Sequence, residues 1–262
     1  AGDVPVIVCS TIYVSNNKSV VIEDVTLQRA ERFTGYLIQV YVNGEVTIRN
    51  AIIDGMNLET DSSLIHAGQG TINIEEGTVI RNNGDTAVTV FNGGGELNMT
   101  GGEIYGNCSL GDGGAIFVFN AKANITGGSI HDNTAAKSGG AIAILTGDVT
   151  IGDVEIYGNT AKGTHSGFSD EKVSFIGGGA AIYAESNKQN DASLTIYGAD
   201  IHDNTAEGFG TITVYDADDN YHISLEVVSA TVRDNTADRG SFIYSDRDDV
   251  SPSYPAITLS GT

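Results

Sequence analysis

Residues 104–118 read Ile104-Tyr105-Gly106-Asn107-Cys108-Ser109-Leu110-Gly111-Asp112-Gly113-Gly114-Ala115-Ile116-Phe117-Val118. Residues 130–144 repeat the pattern as Ile130-His131-Asp132-Asn133-Thr134-Ala135-Ala136-Lys137-Ser138-Gly139-Gly140-Ala141-Ile142-Ala143-Ile144. A fixed internal period of this length marks a repeat architecture, in which each unit buries its apolar face only by stacking on the next. The period extends outward from these two copies. An anchor position falls at Ile22, Ile48, Ile74, Met99, Ile125, Ile151, Ile196, Val227 and Leu259, in steps of 26, 26, 25, 26, 26, 45, 31 and 32 residues.

The remaining columns align on that anchor. Two residues earlier lie Val20, Val46, Ile72, Leu97, Ala123, Val149, Leu194, Leu225 and Ile257. Three later lie compact residues suited to a bend, from Val25 and Ala51 through Gly77, Gly102 and Gly128 to Ala230. Five later lie Leu27, Ile53, Val79, Ile104, Ile130, Ile156, Ile201 and Val232. Eight later lie Ala30, Met56 and then Asn82, Asn107, Asn133, Asn159, Asn204 and Asn235. A second alternating run follows in each coil, as in Ile38-Gln39-Val40, Val88-Thr89-Val90 and Ile212-Thr213-Val214. Period-2 alternation places the apolar members on one face of a strand.

The pattern predicts an all-β right-handed parallel β-helix with three short strands per coil and about eight coils. The rod would be on the order of 40 Å long, at roughly 4.8 Å per rung. Residues 1–262 form a single domain in this reading. Residues 1–19 make an N-terminal capping segment and residues 20–262 the coils, with insertions near 162–176 and 185–192. The Asn column is expected at a turn, where Asn tolerates left-handed angles and stacked amides bond from rung to rung.

Composition agrees with many short strands. There are 34 Gly, 3 Pro and no Trp among 262 residues, and 40% are hydrophobic, enough to build a core. The net charge is −21, from 13 Lys plus Arg against 34 Asp plus Glu. Such a surface repels nucleic-acid phosphates and anionic lipid headgroups. No apolar run approaches the roughly 20 residues of a membrane span. The opening Ala1-Gly2-Asp3 has no signal-peptide character, so a mature or excised piece of a larger protein is expected. Cys9 and Cys108 fall three or more rungs apart, on the order of 14 Å, too far for a disulfide, so two free thiols are expected.

The pairing of Gly-Gly-Ala-Ile with apolar-x-x-Asn resembles bacterial surface β-helix repeats, above all polymorphic outer-membrane protein repeats and related adhesin-like repeats. It stands at Gly113–Ile116 after Ile104–Asn107 and at Gly139–Ile142 after Ile130–Asn133, with Gly178-Gly179-Ala180-Ala181 read as a third copy. Where those repeats carry Phe-x-x-Asn, this chain has Ile or Val. The resemblance implies an extracellular or cell-surface adhesin and no catalytic residues. Its fold is shared with pectin-degrading enzymes, so the fold alone leaves function open.

Function is expected on the outward columns. Six residues after the anchor run Gln28, Asp54, Ile80, Tyr105, His131, Tyr157, His202 and Arg233, and beside them Glu103, Ser129, Glu155, Asp200 and Thr231. Aromatic rings stack on sugar CH groups and acids accept from hydroxyls. The candidate ligand residues are Tyr105, His131, Glu155, Tyr157, Asp200 and His202, with Phe168 and an outward Tyr183 from the inserted coil. Partners are then host or environmental glycans or glycoproteins, bound by a monomeric domain. Zinc through His131 and His202 is disfavoured, because Tyr157 holds them two rungs apart. No cofactor is required, and calcium is the optional one, at the acidic turns carrying Asp216, Asp218, Asp219, Asp246 and Asp248. A polysaccharide lyase or hydrolase using stacked acids, and a stalk without a ligand, are the alternatives.

Overall fold

The computed structural model describes residues 4–163, 177–186, 190–216, 221–240, 242–247 and 256–260, the side chains of residues 246 and 247 excepted. Among these residues there are 30 strands and no helix. All strand pairs are parallel and fall into sheets of nine, sixteen and five strands. No helix among the described residues is long and apolar enough to cross a membrane.

The nine-stranded sheet carries the column five residues after the anchor. Its strands follow one another in chain order, from Val6–Cys9 to Thr231–Arg233. Leu27 pairs with Ile53, Ile104 with Ile130, Ile130 with Ile156 and Ile156 with Ile201. The anchor column and the second alternating run lie together in the sixteen-stranded sheet. Two strands, Ile116–Ile125 and Ile142–Gly152, span both runs and join them. The 45-residue step is one rung, since Ile151 pairs with Ile196. Val6–Cys9 and Ile12–Val14 supply the first rung of two sheets, pairing with Thr26–Arg29 and Ile38–Val40. With a neighbour on one side only, that rung leaves Val6, Ile7 and Val8 exposed.

Alternation does what the period requires. Ile48, Ile74, Met99, Ile125, Ile151 and Ile196 have no exposed surface, and neither do Ile53, Ile104, Ile130, Ile156 and Ile201. Removing a Leu- or Ile-sized side chain from water is worth roughly 1.5–3 kcal/mol, repeated at each rung.

Four details differ from the sequence reading. The turn Glu75–Thr78 is one residue longer than its neighbours, so Ile80, not Val79, pairs with Ile53 and Ile104. Ile80 is therefore fully buried, and Arg81 takes the outward place expected for it. The slip also moves the amide column. Asn83, not Asn82, faces Asn107, while Asn82 turns to the Asp54 carboxylate. The third glycine copy lies one residue later, because Ile142 pairs with Ile182 and Gly179 repeats the left-handed angle of Gly139. Finally, the column of Cys108, Thr134, Thr160, Thr205 and Thr236, directly after the Asn expected at a turn, starts the strands of the third sheet.

The Gly-Gly pair has two separate causes. Gly113 and Gly139 sit at φ 69° and 67°, where a side chain is strained. A Cβ on Gly114 would strike the Gly140 carbonyl, and one on Gly140 the Ala180 carbonyl, so the second glycine permits the rungs to close. The third sheet packs a small core of its own, Ala161, Ala180 and Ala206.

The amides form a buried file. Asn133 accepts from the backbone N–H of Asn107 at 3.1 Å and from its side-chain amide at 2.9 Å. The Asn133 amide nitrogen in turn faces Ile104 O, His131 O and Asn159 Oδ1 at 2.9, 2.9 and 3.0 Å. The same pattern continues through Asn159 and Asn204 to Asn235. These residues are not themselves left-handed. The residue before each one is: Gly106, Asp132, Gly158, Asp203 and Asp234. The corner is made there, and the amide beyond it satisfies the backbone groups the corner frees. Both cysteines are free, Cys9 on the first sheet and Cys108 on the third.

Asn133→Ala leaves a buried N–H and carbonyl groups without partners, at about 1–3 kcal/mol each. A loss of about 3 kcal/mol or more is expected by denaturant unfolding. Asn82→Gly, outside the file and at φ 58°, is expected to cost under about 1 kcal/mol. Equal costs would contradict the ladder.

Candidate functional site

The outward face of the nine-stranded sheet brings the predicted stripe together. Tyr105, His131, Tyr157 and His202 sit on successive rungs and stack face to face. Their ring centroids are 4.9, 4.7 and 5.2 Å apart, with planes 12°, 6° and 3° from parallel. The rung spacing of a parallel sheet, about 4.8 Å, is close to ring-stacking distance, so the fold itself makes the stack. One consequence was not legible in the sequence. The ring faces cover one another, and a ligand meets ring edges and polar atoms.

Those polar atoms are ordered. Arg81 extends the stripe, its Nη1 donating to Tyr105 Oη at 3.0 Å and its Nε to Asp54 at 2.9 Å. The left-handed Asp132 and Asp203 turn their carboxylates back to the preceding ring, 2.9 Å from His131 Nδ1 and 2.8 Å from His202 Nδ1. His202 Nε2 lies 3.1 Å from Glu155 Oε1. Arg233 donates to Asp200 at 3.0 Å. Burial resists protonation of His202, but the bonds to Asp203 and Glu155 outweigh it and hold its pKa above the ordinary imidazole value.

Tyr183 does not join this stripe. It stands on the sixteen-stranded sheet between Ala143 and Thr213, and it is 5% exposed rather than outward in solvent. Its neighbours Ala143 and Thr213 are fully buried, and Thr213 Oγ1 bonds Gly179 N and Phe209 O, so chain covers this face. Its hydroxyl donates to Glu185 Oε2 at 2.7 Å, and burial pushes the pKa of both groups up. Asp216 is buried as well. Its carboxylate accepts from Ile223 N at 2.7 Å and Ser186 Oγ at 3.5 Å and lies 3.3 Å from His222 Nδ1, all internal partners. Phe168, Asp218, Asp219, Asp248 and the Asp246 side chain lie outside the described residues.

A second site was missed. A cleft of about 440 Å³ is lined by Tyr36, His66, Phe91 and Phe117, by Asp61, Asp85 and Asp112, and by the hydroxyls of Ser63, Thr86, Thr89 and Ser109. His66, Phe91 and Phe117 come from the outward face of three successive rungs. The acids come from turns, whose residues follow no period; this is why column reading passed over them. Here the rings do not form a parallel file. His66 stacks on Tyr36 at 4.4 Å, but Phe91 is tilted by 48° from His66 and by 51° from Phe117. Tilted rings leave faces open to a ligand. His66 is held below the ordinary imidazole pKa by burial, and its Nδ1 lies 2.8 Å from Thr89 Oγ1. Under the cleft the buried Arg29 guanidinium donates to Gly35 O, Thr60 Oγ1 and Asn83 Oδ1, tying this site to the head of the amide file.

No family model matches the chain, and no curated protein or solved structure is significantly similar to it.

Burial pushes the Asp85 carboxyl above its ordinary value, against hydrogen bonds from Thr86 N, Ser109 and Leu110 N; Asp61 pushes in the same direction as burial. The folded protein thus holds this proton more tightly than the unfolded chain. Its contribution to stability is complete below the unfolded value of about 3.9 and is lost as pH rises through the folded value. Asp85→Asn is expected to raise the thermal midpoint at pH 7 and to leave it unchanged at about pH 3. A midpoint at pH 7 equal to or below that of the parent would contradict this.

Proposed function

We propose that the three sheets wind as a right-handed parallel β-helix and that the chain is an extracellular, cell-surface glycan-binding module of an adhesin. The hand follows from the strong preference of parallel crossover connections for the right-handed sense. The setting follows from the resemblance to bacterial surface repeats and from an acidic surface unsuited to nucleic acid.

The single observation that carries the binding reading is the cleft at Tyr36, His66, Phe91 and Phe117. Its volume lies in the range of small-molecule sites. Tilted rings offer faces to sugar CH groups, while Asp61, Asp85 and Asp112 and four hydroxyls offer acceptors and donors to sugar hydroxyls. The Tyr105–His202 stack supplies edges along the same rod and is the secondary surface. Calcium is not required for this reading.

A hydrolase is the second reading, favoured by one fact: Asp85 combines a raised pKa with a place in the cleft, as a general acid requires. Turnover of a polysaccharide that vanishes in Asp85→Asn would establish it.

A glycan-array screen, with and without calcium, tests the binding reading. His66→Ala and Phe91→Ala are each expected to weaken the best ligand about 10-fold or more, and Tyr157→Ala to leave it unchanged. Loss in Tyr157→Ala alone would move the site to the ring stack. No bound glycan in any arm would leave the stalk.

A further inference from the structure

We propose that Glu155, Asp200 and His202 bind one divalent transition-metal ion, with zinc as the fitting member of that class. This goes beyond the glycan reading and does not rest on it. One ligand atom from each residue lies within 4.8 Å of the other two. The three come from two adjoining rungs: Glu155 pairs with Asp200, and His202 stands two residues along the same strand as Asp200. Glu155 and Asp200 therefore point outward beside the His202 ring.

Three further features favour a metal over a plain ion-pair network. First, His202 is oriented from behind. Its Nδ1 faces Asp203 Oδ2 at 2.8 Å, which keeps a proton on Nδ1 when a metal displaces the Nε2 proton shared with Glu155. Carboxylate–histidine–metal chains are built this way. Second, the Asp200 side chain is 39% exposed, but its Oδ1 is shielded and has no hydrogen-bond partner, while Oδ2 takes the Arg233 guanidinium. A buried carboxylate oxygen with no partner is costly, and a cation beside it removes the cost. Third, the closing distances are small. Tetrahedral zinc with ligands at about 2.0–2.1 Å holds them about 3.4 Å apart. His202 Nε2 and Glu155 Oε1 are already at 3.1 Å. The Glu155 side chain is 51% exposed, so it is free to adjust.

An imidazole with two carboxylates suits zinc and its neighbours over calcium, which prefers six to eight oxygens. The remaining coordination positions would be water, on the solvent side of the stripe. The Arg233 charge opposes a cation, but it is paired with Asp200 and Asp234, and Asp203 and Glu155 bring two further carboxylates to His202.

The test is a zinc chloride titration of the tag-free full chain after chelator treatment, by calorimetry and by the ring 15N signals of the histidines. One high-affinity zinc is expected per chain, with His202 Nε2 shifting as the ligating nitrogen. Affinity is expected to fall 10–100-fold in Asp203→Asn, which removes only the orienting bond, and about 100-fold or more in Glu155→Gln and His202→Ala. Glu155→Gln changes an exposed group, so the fold is preserved there even if His202→Ala disturbs the stack. No zinc binding by the parent chain would overturn the site. So would unchanged affinity in both Glu155→Gln and His202→Ala, or calcium binding as tightly as zinc.

Discussion

Everything in this molecule depends on in-register parallel pairing, which makes each residue's nearest cross-strand neighbour its own counterpart one rung away. A residue type is therefore not chosen once but as a file. On the inside this is simple, because aliphatic side chains pack on copies of themselves. At the corners it is harder. The chain must turn, and turning frees backbone N–H and carbonyl groups inside a dry core. The file of Asn107, Asn133, Asn159 and Asn204 solves both parts at once, since an amide carries donor and acceptor on one short side chain. Asn83 shows the file ending: its backbone still joins Asn107, but its amide turns to Ser62 O and Thr86 O, and its oxygen receives the buried Arg29.

The same rule limits what the outer faces can do. Rings placed in one column at rung spacing stack on each other, as Tyr105, His131, Tyr157 and His202 do. Such a column is rigid, but its faces are used up. A concave site arises where the column itself changes residue, as where Thr89 stands between His66 and Phe117 and the next ring, Phe91, lies two residues along. The cleft fits this account, drawing Asp61, Asp85 and Asp112 from turns and placing His66, Phe91 and Phe117 at angles.

This explains what could be read in the residues and what could not. Columns separated by whole periods were legible, including the 45-residue step and the ring stripe. Local slips were not. A single extra residue in Glu75–Thr78 exchanges Ile80 with Arg81 and Asn82 with Asn83, because alternation has period two. The depth of Tyr183 was hidden for another reason. Direction from the sheet follows from parity, but burial depends on the chain lying over that face, near Phe209 and Gly179. The cleft needed both the turns and the sheet in three dimensions.

In-register stacking also sets like charges side by side unless the file alternates. Along one outward column run Ser19, Glu45, Thr71, Glu96, Lys122, Asp148 and Ser193, with no two acids adjoining. On the nine-stranded sheet, Glu103, Ser129 and Glu155 follow the same habit. The habit stops at Glu155 and Asp200, which pair directly, and at the corner residues Asp203 and Asp234 beside them. Repulsion between adjacent carboxylates a rung apart demands compensation. Arg233 compensates one oxygen of Asp200, and His202 compensates Glu155 as long as it is protonated. Asp200 Oδ1 still has no partner. A divalent cation answers the repulsion and the unpartnered oxygen together, and at this break His202 stands beside the two acids as a third ligand.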